Sequence, residues 1–316
     1  MPETNGQNGI IIIDKPVGMT SARVVSIVKK TLPAKKVGHA GTLDPFAEGV
    51  LICCLNQATR LAGFLLHGPK KYVAELKLGQ ETDTQDLTGT VVSTAKVLGY
   101  SQQTIQSVFE SFKGPIEQLP PVYSALKHKG VPLYKLARRG QPVQKPPRQV
   151  QIYSICVTDV DLPYIRFEVS CSAGTYIRTI GADIGRMLGC GGHLNALKRI
   201  ESSGFTLDQA IPLSALEESA GSGRSSPKII SMKNALPDMP EFCADVHLIE
   251  KIRHGQKLTI NDLAGANGTG IARPADNYLK IVDRQQELIA IVEHNETGDR
   301  LTYCCVFPKR QQTHYR

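Results

Sequence analysis

Asp44 is the residue whose type and setting point most directly to chemistry. It stands in GHAGTLDPFAEGVL, residues 38–51, between glycines and just ahead of the apolar run Val50-Leu51-Ile52. An ionised carboxylate held in a turn can attack as a nucleophile or remove a proton, and neither role needs a metal or a nucleotide. Glycosidic hydrolysis would ask for a second carboxylate facing the first, and no partner for Asp44 stands out in the chain. Pro45 steers the aspartate away from helical geometry, and an Asp-Pro pair alone commonly does no more than shape a turn.

Other clusters offer less. Glu81, Asp83 and Asp86 in GQETDTQD lack the glycine-bearing loop of a calcium site and read as a solvated acidic turn. The 8 cysteines form two adjacent pairs, Cys53-Cys54 and Cys304-Cys305, plus four singles, with no C-x-x-C spacing. That pattern indicates no zinc site and no secreted disulfide framework, so buried reduced thiols are expected, with no metal and no cofactor.

The elements that must position Asp44 follow from periodicity. GIIII at residues 9–13 reads as a buried strand, Pro16 and Gly18 as a turn, and Thr20 or Ser21 as the cap of a helix over ARVVSIVKK. Tyr72, Ala74, Leu76 and Leu78 alternate, and the pattern resumes at Val91 after a polar turn, as in a hairpin. Ile105, Val108, Phe109 and Phe112 have helical spacing. Ile165, Phe167 and Val169 mark a strand, Gly174 a break, and Ile180, Ile184 and Leu188 one face of a helix. Residues 118–150 carry Pro120, Pro121, Pro132, Pro142, Pro146 and Pro147 among many basic residues, which reads as a mobile excursion lacking regular structure. ESAGSGRSSPK, residues 218–228, reads as a linker, and from about residue 241 short strands suggest a small, mostly β domain.

At 316 residues the chain exceeds the usual size of one core, so a large domain and a smaller one are expected. Lys and Arg total 37 against 29 acidic residues, a net charge of +8 that favours polyanionic partners such as nucleic acid. No apolar run approaches the roughly 18 residues of a membrane span. MPETNGQNG lacks the basic start and apolar core of a signal peptide, so a cytoplasmic protein without membrane contact is expected.

Four stretches in order, DKPVGMTS, GHAGTLDPFAEGVL, KKYVAELKLGQETDTQD and SAGTYIRTIGADIG, closely resemble the TruB family of tRNA pseudouridine synthases over about residues 9–212. The resemblance implies an α+β pseudouridine-synthase fold with a central mixed, mainly antiparallel sheet. It implies an isomerisation: the C1′–N1 bond of a uridine breaks, the uracil turns, and C5 joins C1′. Asp44 maps onto the essential carboxylate, acting either at C1′ or on the C2′ proton. Arg178 maps onto its ion-pair partner, Tyr72 onto the tyrosine lying against the uracil, and Tyr176 onto a residue beside the aspartate. Leu197 maps onto a leucine packing on the flipped base, and His39 onto the residue that fills the space left in the RNA. Read singly, each of these is an ordinary strand, turn or core residue.

The chain departs from the family at Ala40, usually Thr, and at Ala47-Glu48-Gly49, usually Ala-Thr-Gly, where Glu48 places a further negative charge beside the turn. The basic 118–150 segment resembles the RNA-gripping insertion of stand-alone members, which implies uridine 55 of the tRNA T-loop as target. IRHGQKL and the strands after it resemble a PUA-type RNA-binding domain, so residues 1–240 are expected to be catalytic and 241–316 PUA-like. The resemblance also implies a monomer that needs tRNA alone as partner. A tRNA-folding chaperone and a glycosidic hydrolase remain as alternatives.

Overall fold

The computed structural model describes residues 7–222, 227–263, 277–294 and 299–308. The chain opens with β1 (Gly9–Lys15), α1 (Ser21–Thr31), β2 (Val37–His39) and β3 (Glu48–Leu55). After a 3-10 turn come α2 (Ala62–His67), β4 (Lys70–Leu78), β5 (Gln80–Thr82), β6 (Val91–Thr94), α3 (Gln102–Glu110) and β7 (Gly114–Gln118). A small excursion holds β8 (Lys127–His128), β9 (Val131–Pro132) and α4 (Leu133–Ala137). Then follow β10 (Arg148–Asp161), β11 (Tyr164–Cys171), α5 (Ile177–Met187), β12 (Gly192–Ser202), β13 (Phe205–Thr206), β14 (Ile211–Pro212) and α6 (Leu213–Ser222).

One sheet organises these elements, in the order β14-β1-β3-β12-β4-β11-β10-β7, with β2 and β13 paired at its sides. Only the β1–β14 and β3–β12 pairings are parallel, so the sheet is mixed and mainly antiparallel as expected. The isoleucine run of β1 is apolar at every position because both faces are covered. Ile11 and Ile13 join the core that also holds Val24 and Val28 of α1 and Ile180 and Ile184 of α5. Ile10 and Ile12 face a second core on the other side.

The C-terminal part forms a five-stranded sheet from β15 (Glu241–Cys243), β16 (Leu258–Thr259), β17 (Tyr278–Val282), β18 (Leu288–His294) and β19 (Arg300–Val306), with α7 (Val246–Arg253). Its own core contains Leu248, Ile252, Ile281, Ile289 and Val292. Its other side, through Val282, Leu288, Ile291, Cys305 and Phe307, shares the core of Ile10, Ile12, Val50 and Ile52. The two sheets are thus welded by a common apolar layer.

Four expectations need correction. Val91 does not return along the Tyr72 strand: β6 pairs with β5, while β4 pairs with β11 and β12. Gly79, at φ +86°, ends β4 and sends its N–H to the carbonyl of Gly191, so long-range pairing prevails over the local hairpin. The 118–150 segment is not without regular structure. Its β8–β9 hairpin and α4 are pinned by buried Leu133, whose N–H bonds the carbonyl of Leu126. The supposed linker begins inside α6, and 223–226 lie outside the described residues. Finally, all eight cysteines are free, but Cys156, Cys243 and Cys304 are exposed. Cys304 falls at the register irregularity of β19, where it has no partner on β18, and is exposed, whereas neighbouring Cys305 pairs with Ile291 and is buried.

Candidate active site

The Asp44 turn is held from three directions. Ser21, the first residue of α1, donates its hydroxyl to the Leu43 carbonyl at 3.0 Å and accepts the Leu43 N–H at 2.9 Å. Gly18 N–H donates to the Pro45 carbonyl at 2.7 Å, and the Ala47 N–H returns to the Asp44 carbonyl at 3.1 Å. That closes a β-turn with Pro45 at its second position, where its fixed φ fits. Beneath the turn, Lys15 is buried and donates to the carbonyls of Pro16 and Met19 at 2.8 and 2.7 Å. Burial lowers the Lys15 pKa to about 8, against the raising influence of Asp44 and Glu48.

A cavity of about 300 Å3 opens beside the turn, lined by Asp44, Tyr72, Tyr176, Arg178 and Leu197 among others. Five of the six residues singled out in the sequence therefore converge. The side chain of Asp44 is 35% exposed, whereas that of Arg178 is 3% exposed, and Arg178 Nε lies 2.8 Å from Asp44 Oδ2. This Nε makes no aligned hydrogen bond, so the pair is a charge contact set by proximity. The rest of the guanidinium is fixed firmly: Nη1 donates to the Thr84 carbonyl at 2.6 Å and Nη2 to the Tyr123 carbonyl at 2.9 Å. His39, on β2 opposite Cys53, is absent from the lining. It is half-buried with Nδ1 unpartnered, and burial, then Arg199, lowers its pKa, which favours the neutral imidazole.

Sheet register explains how distant residues meet. Tyr72 of β4 stands opposite Arg199 of β12, and Ala74 opposite Leu197. Directly paired residues share a face, so Tyr72, Leu197 and Arg199 project together toward the cavity. Burial raises the Tyr72 pKa, with Arg199 opposing, which keeps the phenol protonated at neutral pH. A protonated phenol of this kind can stack on a base and relay a proton.

Sequence reasoning missed several charged residues. Arg199 is buried, donating from Nε to the Val50 carbonyl at 2.7 Å and from Nη2 to the Gly41 carbonyl at 3.1 Å. Lys70, also buried, donates to the carbonyls of Leu66 and Gly68, and burial lowers its pKa to about 8. Both line the cavity, as does Arg148. A signal existed: Lys15 closes the strand that four isoleucines open, one residue beyond Asp14, and Arg199 lies two residues beyond Leu197 on the same strand face.

The acidic turn also differs from expectation. Asp86 is buried, with Oδ1 accepting from the Thr84 hydroxyl at 2.8 Å and the Thr88 N–H at 2.9 Å, and Oδ2 lying 3.5 Å from Arg178 Nη1. Asp83 accepts from the Tyr123 hydroxyl at 3.2 Å, and Glu81 pairs with Arg186 at 2.9 Å. This turn is a structural bracket for Arg178 rather than a solvated loop. Glu48 is paired with Lys198 at 3.4 Å. Among the described residues no group of three or more His, Cys, Asp or Glu is placed to hold a metal ion, and no helix is long and apolar enough to cross a membrane.

The mixed, mainly antiparallel sheet with a carboxylate–guanidinium pair beside it is the arrangement that the resemblance to the pseudouridine synthases implied. Solved structures agree: a chain of a Cbf5-Nop10-Gar1 complex superposes with TM-score 0.73 at 27% identity, covering 98% of this chain and 88% of that one. Residues 29–177 match the N-terminal domain model of the TruB family pseudouridylate synthases, and residues 178–229 the C-terminal domain model of tRNA pseudouridylate synthase B. The chain belongs to the TruB family. Relatives named tRNA pseudouridine synthase B include that of Geobacter sulfurreducens, 42% identical over 90% of this chain and 93% of the relative. That of Syntrophotalea carbinolica is 45% identical over 81% and 84%.

Proposed function

We propose that this protein converts uridine 55 in the T-loop of tRNA to pseudouridine, with Asp44 as the catalytic carboxylate. The observation that carries this reading is the half-exposed Asp44 carboxylate, held 2.8 Å from buried Arg178 in a cavity that Tyr72 and Leu197 also line. The C1′–N1 bond breaks, the freed uracil turns, C5 bonds to C1′, and the C5 proton leaves while N1 takes one up. The oxidation state does not change, so an ionised carboxylate suffices as a nucleophile at C1′ or as a base at C2′.

Reaching C1′ requires the uridine to leave its stack, at a cost of roughly a few kcal/mol. Tyr72 and Leu197 offer the extruded base an aromatic and an aliphatic surface, Tyr176 flanks the aspartate, and His39 fills the gap left in the RNA. Residues 1–240 form the catalytic part and 241–316 a PUA-like part that grips the acceptor region, while the 118–150 segment grips the T-arm. The enzyme works as a cytoplasmic monomer with no metal, cofactor or guide RNA.

The test is an unmodified tRNA transcript carrying tritium at uridine C5, incubated with the purified protein alone. Tritium release with pseudouridine at position 55 is expected, and Asp44→Asn should keep tRNA binding while losing turnover by at least ~100-fold. No release despite tight binding would favour a chaperone, and release of free uracil would favour a hydrolase.

A further inference from the structure

Arg148 has no task in the chemistry above, yet it lines the same cavity as Asp44. It opens β10 at the point where the basic excursion rejoins the sheet, opposite Gln118 of β7. Its guanidinium lies over the ring of Tyr176, 4.8 Å from the centroid, and donates from Nη2 to the Gly174 carbonyl. Gly174 has φ +86°, and a Cβ there would sit 3.3 Å from the guanidinium carbon, so a small residue keeps this berth open.

Among the described residues no carboxylate pairs with Arg148, and its Nε is buried with no hydrogen-bond partner. The guanidinium spends one N–H of Nη2 on the Gly174 carbonyl, which leaves further N–H donors of Nη1 and Nη2 for a ligand in the cavity. The cation sits on a glycine-backed turn, stacked on an aromatic ring and facing a cavity that also holds Lys70 and Arg199. A planar fork of this kind matches the two non-bridging oxygens of a phosphodiester.

We propose that Arg148 binds a phosphodiester flanking the extruded uridine, and so positions C1′ of that nucleotide against Asp44. This inference rests on the tRNA reading above. Stacking on Tyr176 pre-sets the guanidinium before RNA arrives, so little side-chain freedom is lost on binding. The contact makes Arg148 a substrate-binding residue for the backbone, distinct from the residues that meet the base.

The experiment compares wild type, Arg148→Gln and Arg148→Lys in tRNA binding from low to moderate salt, with single-turnover rates measured alongside. Thermal unfolding of each variant establishes that it is folded. For Arg148→Gln the slope of log affinity against log salt should fall by about 0.7–0.9, one phosphate's worth, with affinity lower by roughly tenfold at low salt. Arg148→Lys should retain the slope and lose rate, since the charge remains and the fork does not. A tRNA with one uncharged linkage beside the target uridine should weaken wild-type binding and leave Arg148→Gln unaffected. An unchanged slope, or equal sensitivity of both proteins to the uncharged linkage, overturns the proposal and leaves Arg148 as a prop for Tyr176. Absence of tRNA binding by the wild type would instead overturn the underlying tRNA reading.

Discussion

Arg178 serves two structures with one guanidinium. It holds Asp44 by charge, and it ties the carbonyls of Thr84 and Tyr123, from the acidic turn and the basic excursion, to that same centre. A lysine carries the charge but cannot span three directions at once. Arg178→Lys is therefore expected to lose most turnover while tRNA affinity changes little, and to unfold about 3 kcal/mol more easily because buried partners lose their bonds. Single-turnover kinetics with urea unfolding would check it, and full activity in the lysine variant would refute the bracket role. Lys70 gives a residue-scale prediction in pH. Its pKa falls from 10.5 to about 8 on burial, so between those values the unfolded chain holds a proton that the native one has lost. Stability attributable to this group must then rise with pH across that window, by up to about 1.4 kcal/mol per unit. Relative to Lys70→Met, the wild type should gain stability from pH 8 to 10.5 and show a constant difference below pH 7.

At the scale of elements, the site depends on how tightly β3 and β12 approach in parallel. Gly49 lies opposite Arg199 in this pairing and has φ +101°, and a Cβ there would overlap the Arg199 backbone carbonyl. Gly49→Ala is expected to cost at least ~2 kcal/mol, from strain and clash together. Turnover should fall as well, because Arg199 fixes the Gly41 end of the Asp44 turn. Urea midpoints and initial rates on the same preparation would test this, and a wild-type midpoint would show that the junction tolerates a side chain. The same region shows what sequence makes legible. Strand β1 and the cap of α1 were readable because run length and a side-chain oxygen are local signals; Thr20 does accept the Arg23 N–H at 3.1 Å. The partner of β4 was not readable, because alternation marks a strand without saying what lies beside it. Asp86 was misread for a related reason: the partners it meets when buried include Arg178 and Leu194, far along the chain, and no local pattern announces them. Motif order located Asp44, Tyr72, Tyr176 and Arg178, and the resemblance beyond the motifs located Leu197, whereas Lys70, Arg148 and Arg199 became visible only through register and cavity.

For the whole molecule, the division near residue 240 is weaker energetically than composition suggests. Val282, Leu288, Ile291, Cys305 and Phe307 pack into the layer of Ile10, Ile12, Val50 and Ile52, and Arg60 donates to the Val306 carbonyl at 2.5 Å while lying over Phe307. Burying one large apolar side chain stabilises by roughly 1.5–3 kcal/mol, so this layer rivals the ~5–15 kcal/mol net stability of an entire domain. Two units coupled this strongly should not unfold separately. Urea unfolding is expected to give one transition with coincident midpoints by far-UV circular dichroism and by tyrosine fluorescence, the useful probe in a chain with 10 Tyr and no Trp. Residues 1–240 expressed alone should be markedly less stable or aggregate, since the back of the main sheet loses its cover. Two resolved transitions, or a truncated protein as stable as the full chain, would show that the C-terminal sheet is an independent module. In that case its geometry relative to Asp44 would not be fixed by packing, and any contact it makes with tRNA would have to be positioned by the RNA itself.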